Sequence, residues 1–228
     1  MSNTDLNQNE FFTDTRQRLI NAGLNLFGEH GFSATSTRMI AEEADANIAA
    51  IPYYFDGKRG LYEAVIDYIS QRIESYIRPV LDHYRPLLDC SETTQDQAET
   101  GIHALLDAFA VMLIDSKEPE NWALIIMREQ IHPSPAFDTL YDSVMRDTQT
   151  LLAGLIAHIT SMPQGDEESF IRGHALLGQV LVFLSSRESF LRAMNVKQLS
   201  RTQIDKIHSV LHTHVQCCLG LEPVSTNS

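Results

Sequence analysis

Apolar side chains recur along this chain at helical spacing, and turn-forming residues divide them into blocks. In the first block Ile20, Gly23, Leu24 and Phe27 fall at i, i+3, i+4 and i+7, after Thr13 or Asp14 and before Gly31. That spacing predicts an amphipathic helix with a polar start and a glycine stop. Met39, Ile40 and Ala44 form a shorter block behind Thr35 or Ser36, either of which can cap a helix with its hydroxyl. Asp45-Ala46-Asn47 then breaks the pattern, because short polar side chains bond their own backbone and favour turns. Asn47 is placed to cap a third helix with Ile51 and Phe55 on its inner side. Helices this short bury little alone and must lean on the first, which makes a three-helix head ending in a helix-turn-helix. From Gly60 a long helix follows, with Leu61, Val65, Tyr68, Ile69, Ile73 and Ile77 on one stripe and Pro79 as its expected interruption.

Beyond that helix the segment 89–100 is polar and reads as a loop. Further helices are predicted at 103–114, 121–131, 136–160, 170–194 and 202–219, with Pro119, Pro133 and Pro135 between them. No strand-like alternation and no internal repeat is visible. The expected fold is all-α: a flexible polar arm (1–12), the helix-turn-helix head (13–60), a larger helical body for ligand binding and dimerisation (61–220), and a disordered tail (221–228).

Composition changes this picture in two ways. A content of 43% hydrophobic and 21% charged residues in 228 is that of a soluble globular chain. The longest apolar stretch, 175–184, is broken by Gln179 and falls far short of the ~20 residues of a membrane span. With no secretory signal and only three cysteines, the expectation is a cytoplasmic protein without a membrane partner. The net charge of −13 excludes a generally basic nucleic-acid binder, since residues 1–60 alone hold five basic side chains against eight acidic ones. Affinity for DNA would have to come from a few placed contacts, repeated in a second head.

The run Thr37-Arg38-Met39-Ile40-Ala41, then Ala44-Asp45-Ala46-Asn47, then Tyr53-Tyr54-Phe55-Asp56-Gly57-Lys58-Arg59-Gly60-Leu61 resembles the amino-terminal domain of the TetR/AcrR family of bacterial regulators. Segments 127–142 and 173–192 are similar to the carboxy-terminal domain of its CecR-like subgroup. The resemblance implies a sequence-specific transcription regulator rather than an enzyme, with no cofactor. It implies a homodimer on a near-palindromic double-stranded DNA operator, acting as a repressor of export or drug-tolerance genes and released by an unknown small-molecule effector.

Site residues follow from the two sources together. Thr35, Ser36, Thr37 and Arg38 stand at the start of the first helix of the motif, and the family's matching arginine reads bases in the major groove. Asn47, Ile48, Ala49 and Ala50 open the recognition helix; the apolar three could meet only thymine methyls and groove shape, and Ile48 fits a buried position equally well. Tyr53 and Tyr54 could turn hydroxyls to phosphates or pack as aromatics, and Lys58 matches a phosphate-contacting lysine of the family. Two departures from the family stand out: Pro52 replaces a phosphate-contacting tyrosine and removes an N–H from the recognition helix, and Asp45 replaces the glycine common at the turn.

In the body, Phe109, Met112, Trp122, Met127, Phe137 and Tyr141 form a plausible effector lining, with Arg128 as an orienting charge. The last two helices are the expected dimer face. Gly178, Ser185 and Val182 are on one of them, with Gly173 and Ser186, and Ile207, Leu211 and Val215 on the other, in a stripe with Ile204, His208 and Cys218. Ordinary core packing accounts for the same stripes. Two alternatives from other classes use different residues. A helical metalloenzyme or metal-binding protein could use Glu129-x-x-His132 or the cluster His208, His212, His214, Cys217 and Cys218, although neither has a complete ligand spacing. A helical adaptor that binds only protein is the other.

Overall fold

A computed structural model describes residues 3–115 and 120–221, and every regular element among them is helical. In chain order these are α1 (Asn3–Ala34), α2 (Thr37–Glu43), α3 (Ala50–Phe55), α4 (Lys58–Tyr84), α5 (Gln95–Ala110), α6 (Glu120–Ile131), α7 (Phe137–Leu140), α8 (Arg146–Thr160), α9 (Glu167–Ser185), α10 (Arg187–Ala193) and α11 (Arg201–Leu219). A 3₁₀ turn, Arg85–Leu88, follows α4; one π-turn, Val111–Asp115, extends α5, and another, Tyr141–Met145, joins α7 to α8.

Several boundaries differ from those the sequence predicts, each for a local reason. The residues read as a polar arm are helical from Asn3, because nothing between there and Gly23 breaks a helix. Gly31 is the stop expected of it, with φ 81 and ψ 168. The 89–100 loop ends early: Thr94 and Gln97 cap each other's backbone and start α5 at Gln95. Pro79 does not interrupt α4. Beside it Arg78 donates to Glu74 of the same helix and, outside it, to Asp147 and the Ser143 carbonyl, which anchor that turn. The expected helix 170–194 is two, parted at Ser186. Residues 222–228 of the expected tail lie outside the described residues.

The chain divides into two compact units, and the division is not the one at residue 60. One unit combines Met1–Arg72 with Pro119–Tyr141; the other combines Ile73–Glu118 with Asp142–Ser228. Thus α6 and α7, by sequence part of the body, belong with the head. In the first unit Leu19, Ile20, Leu24 and Phe27 of α1 are buried, as are Ile40 of α2, Ile51 and Phe55 of α3 and Trp122 and Ile125 of α6. A Cβ on Gly23 would come within 3.1 Å of the Val65 side chain, so α1 and α4 approach closely there.

In the second unit Ile102, Leu105 and Leu106 of α5, Leu151, Leu152, Leu155 and Ile156 of α8, and Leu176 and Val180 of α9 make the core. The run Gln95–Ile114 has the length and apolar composition to cross a membrane, and the apolar face it presents is this core.

Candidate nucleic-acid interface

The helix-turn-helix is fixed by polar groups at each joint. Ser36 caps α2 by accepting from the Met39 N–H at 3.2 Å. Asp45 takes the left-handed conformation that the turn demands (φ 47). Arg18 of α1 reaches 27 residues along the chain to donate to the Asp45 carbonyl at 3.1 Å, tying the turn to the scaffold helix. The Asn47 side chain accepts from the Ala49 N–H at 2.9 Å, so it caps the lead-in turn rather than α3 itself, which begins at Ala50. That start also settles Pro52. It is the third residue of α3, within the first turn, where N–H groups lack an intrahelical acceptor, so its missing donor does not bend the helix.

The expected DNA-contacting residues separate into exposed and structural ones. Arg38 is 81% exposed at its side chain and pairs with Glu42 at 2.8 Å, which holds its guanidinium ionised. Ile48, given equal claims to core and surface, is half exposed, and Ala49 is exposed beside it. Tyr53 is 73% exposed, with its ring edge against Tyr54 at 4.9 Å. Lys58 lies with its Nζ 4.3 Å from the centre of the Phe32 ring, a cation–π contact. Thr35 is the correction: it is buried, and its hydroxyl donates to the carbonyls of Leu26 and Gly31. It closes the end of α1 and is not available to a phosphate.

A second correction concerns Arg128. Its Nη1 donates to the carbonyls of Phe27 (2.7 Å) and Gly28 (2.6 Å), and its Nη2 to that of Glu29 (3.2 Å). These carbonyls lie in the turn of α1 just before the break at Gly31. Arg128 is thus a helix cap supplied from 100 residues away, not a charge orienting an effector. The adjacent Glu129 is 4% exposed; it accepts from the Tyr62 hydroxyl at 2.6 Å and from the backbone and hydroxyl of Ser134. Burial and this carboxylate push the Tyr62 hydroxyl well above its ordinary pKa. Arg128, Glu129, Tyr62 and Phe32 border a cleft of about 660 Å³ within the first unit. No helical periodicity could disclose this latch; only the adjacency Arg128-Glu129 just before Pro133 marks it.

The effector lining also divides. Phe109 and Met112 are buried residues of the second unit, while Trp122, Met127, Phe137 and Tyr141 belong to the first, where the rings of Phe137 and Tyr141 stack at 6.2 Å. The dimer face is half corrected. Ile207, Leu211 and Val215 are interior to the second unit, because that stripe of α11 packs on the core. Gly173 lies against Leu152 of the same chain. Gly178, Val182 and Ser185 are exposed, together with Ile171 and Leu181, on an apolar side of α9. On α11 the exposed side is Val210, Thr213, His214 and Cys217, and His214 meets Gln179 of α9 at 3.0 Å.

The rival metal sets are dispersed. Glu129 is spent on Tyr62 and Ser134; His208 and His212 turn to Asp107, His214 to Gln179, and Cys217 and Cys218 to solvent. Among the described residues no three His, Cys, Asp or Glu side chains are grouped to hold a metal ion.

Comparison with known proteins fits this geometry. Residues 19–65 match the family described as bacterial regulatory proteins, tetR family. Residues 98–221 match the C-terminal domain of the HTH-type transcriptional dual regulator CecR. The chain is 30% identical over 207 residues to the HTH-type transcriptional dual regulator CecR of Shigella flexneri, spanning 90% of this chain and 91% of that one. It is 48% identical over 62 residues to the probable HTH-type transcriptional regulator YttP of Bacillus subtilis (strain 168), covering 27% of this chain and 28% of YttP. Among solved structures, AibR in complex with isovaleryl coenzyme A and operator DNA superposes with a TM-score of 0.62 at 13% identity, over 88% of this chain and 97% of that one. A putative transcriptional regulator from Pseudomonas aeruginosa PAO1 gives 0.56 at 19% identity, over 89% and 90%. The last two likenesses concern fold alone.

Proposed function

Since this chain belongs to the TetR family of transcription regulators and carries a CecR-type C-terminal domain, we propose that it works in the cytoplasm as a homodimeric, ligand-responsive repressor. Each head enters a major groove of a near-palindromic operator. One observation carries this: Arg38, Ile48, Ala49 and Tyr53 stay exposed on a helix-turn-helix whose every joint is otherwise closed by a cap or a tie. Held out together on one motif, these side chains are free to meet a partner surface. Phosphate contacts by Tyr53, Tyr54 and Lys58 would set the register, and Arg38 would read a guanine edge after leaving Glu42. The exposed sides of α9 and α11 would meet a second copy in a four-helix interface.

An effector acts only through unequal affinity for the DNA-fitting and non-fitting arrangements, a factor of ~100 corresponding to about 2.7 kcal/mol. The Arg128–Glu129 latch is the means by which α6 would transmit its position to α1 and α4. Export or drug-tolerance genes are the proposed targets.

The test is a competition gel shift on DNA from the protein's own genomic neighbourhood. Arg38→Ala should lower operator preference over random DNA by about tenfold or more; undiminished discrimination would remove Arg38 as a base reader. The Shigella flexneri relative is named a dual regulator; a reporter assay in which this protein only raises expression would overturn the repressor reading.

A further inference from the structure

The seam between α5 and α11 carries a half-buried polar ladder beside the apolar core of its unit. Glu99, His103 and Asp107 follow one another at four-residue steps on α5, and Gln216, His212 and His208 answer them on α11. Glu99 accepts from Gln216 at 3.1 Å. The rings of His103 and His212 stack face to face, 4.1 Å apart and 4° from parallel. A single oxygen of Asp107 faces both His208 Nδ1 (2.7 Å) and His212 Nε2 (2.9 Å). One carboxylate therefore serves two imidazoles, and a third imidazole lies on the second with its Nε2 buried and without a hydrogen-bond partner.

We propose that the His103–His212 stack is a proton-sensitive joint: acidification releases α11 from α5. The groups acting on His103 are Glu99 and Asp107 from its own helix and His212 from α11. A proton on His103 finds no acceptor at Nε2, which is buried without a hydrogen-bond partner. Its ring lies 4.1 Å from that of His212, whose charge acts against a second charge so close.

Burial first, and then the charge of His212, hold the His103 pKa below its ordinary 6.5. The sign follows from linkage. A base whose pKa is lowered by folding contributes stability that is whole above 6.5 and is lost as pH falls below it, since the open ring binds a proton that the stacked ring refuses. The joint thus holds at neutral pH and yields in acid. The exposed side of α11 is half of the proposed dimer face, so on that reading acid also weakens the dimer.

The test is hydrogen exchange across 201–219 in the full chain, wild type against His103→Phe, at pH 7.5 and pH 5.5. Phenylalanine keeps a stacked ring that cannot titrate. Comparing both proteins at the same pH removes the chemical pH dependence of exchange. Equal protection at pH 7.5 and faster exchange of the wild type than of the variant at pH 5.5 are expected. Indistinguishable protection at both values would overturn the joint. If His103→Phe does not fold, His103→Gln serves as the non-titrating variant, with the same two outcomes.

Ring-proton NMR adds a direct reading: the His103 midpoint must lie below 6.5, and one above it overturns the proposal. Sedimentation at pH 7.5 tests the dimer separately. A monomer there defeats the dimer consequence while the exchange difference still decides the joint.

Discussion

Head and body reach the same helical architecture by different means. The head assembles helices of six and seven residues, too short to persist through backbone bonding or a broad apolar face. It fixes them with single polar devices: a cap from Ser36, a left-handed turn at Asp45 tied down by Arg18, an arginine cap on α1 from Arg128. The body has helices of fifteen to nineteen residues in α5, α8, α9 and α11, and burial of apolar stripes suffices for most of them. Few individual residues are irreplaceable in such a core, since hydrophobic exchanges of similar volume cost little. Single residues without a substitute are thus a feature of the head more than of the body.

That contrast breaks most sharply at Gly60. A Cβ there would lie 1.8 Å from the Phe55 carbonyl oxygen, where one backbone crosses another at the α3–α4 corner. Neither side can yield as a side-chain tip would. Gly60→Ala should therefore destabilise the head by about 3 kcal/mol or more, with loss of operator binding at temperatures where the body stays folded. The control is Gly178→Ala, whose added methyl meets nothing within 4 Å in its own chain; because it lies on the proposed dimer face, it is measured in protein dilute enough to be monomeric. Its melting temperature should hold or rise slightly, as alanine is the better helix former. Equal effects of the two substitutions would erase the distinction.

The residues themselves explain what could be read in advance. Helix order, the turn at Asp45, the stop at Gly31 and the exposed position of Arg38 were legible, because each depends on neighbours within about seven positions. Thr35 differs from its expected role because a threonine ahead of a helix serves equally as a cap or as a buried brace, and only the Leu26 carbonyl decides. Ile207, Leu211 and Val215 turn inward rather than to a partner because an apolar stripe does not say whether its cover is the same chain or another. The Arg128 latch was illegible for a simpler reason: its acceptors are backbone carbonyls, which leave no trace in side-chain pattern. The domain boundary moved with it, as α6 went to the head.

A milder break tests that latch. Tyr62→Phe removes the hydroxyl that donates to buried Glu129 while keeping the ring that packs edge-on against Phe27 at 5.1 Å. Ser134 still donates to the carboxylate, so the loss should be about 1–2 kcal/mol, read as a lower denaturation midpoint. A neutral outcome would mean that Ser134 alone satisfies Glu129, and that α4 is not held to α6 through this bond.

The smallest effect on stability belongs to Lys58, and it sharpens the comparison from the other side. Its ammonium rests on Phe32 near the surface, where a cation–π contact contributes about 0.5–1 kcal/mol, so Lys58→Ala should barely move the melting temperature. Its proposed role lies in DNA binding, where a phosphate neutralised by each head contributes about 0.9 to the slope of log affinity against log salt. The substitution should weaken operator and random DNA alike and flatten that slope by this amount per head. Because the head carries more acidic than basic side chains, no diffuse positive field stands ready to replace the lost contact. An unchanged slope would leave Lys58 as a packing residue over Phe32, and would shift the burden of phosphate contact to the two exposed-ended tyrosines of α3.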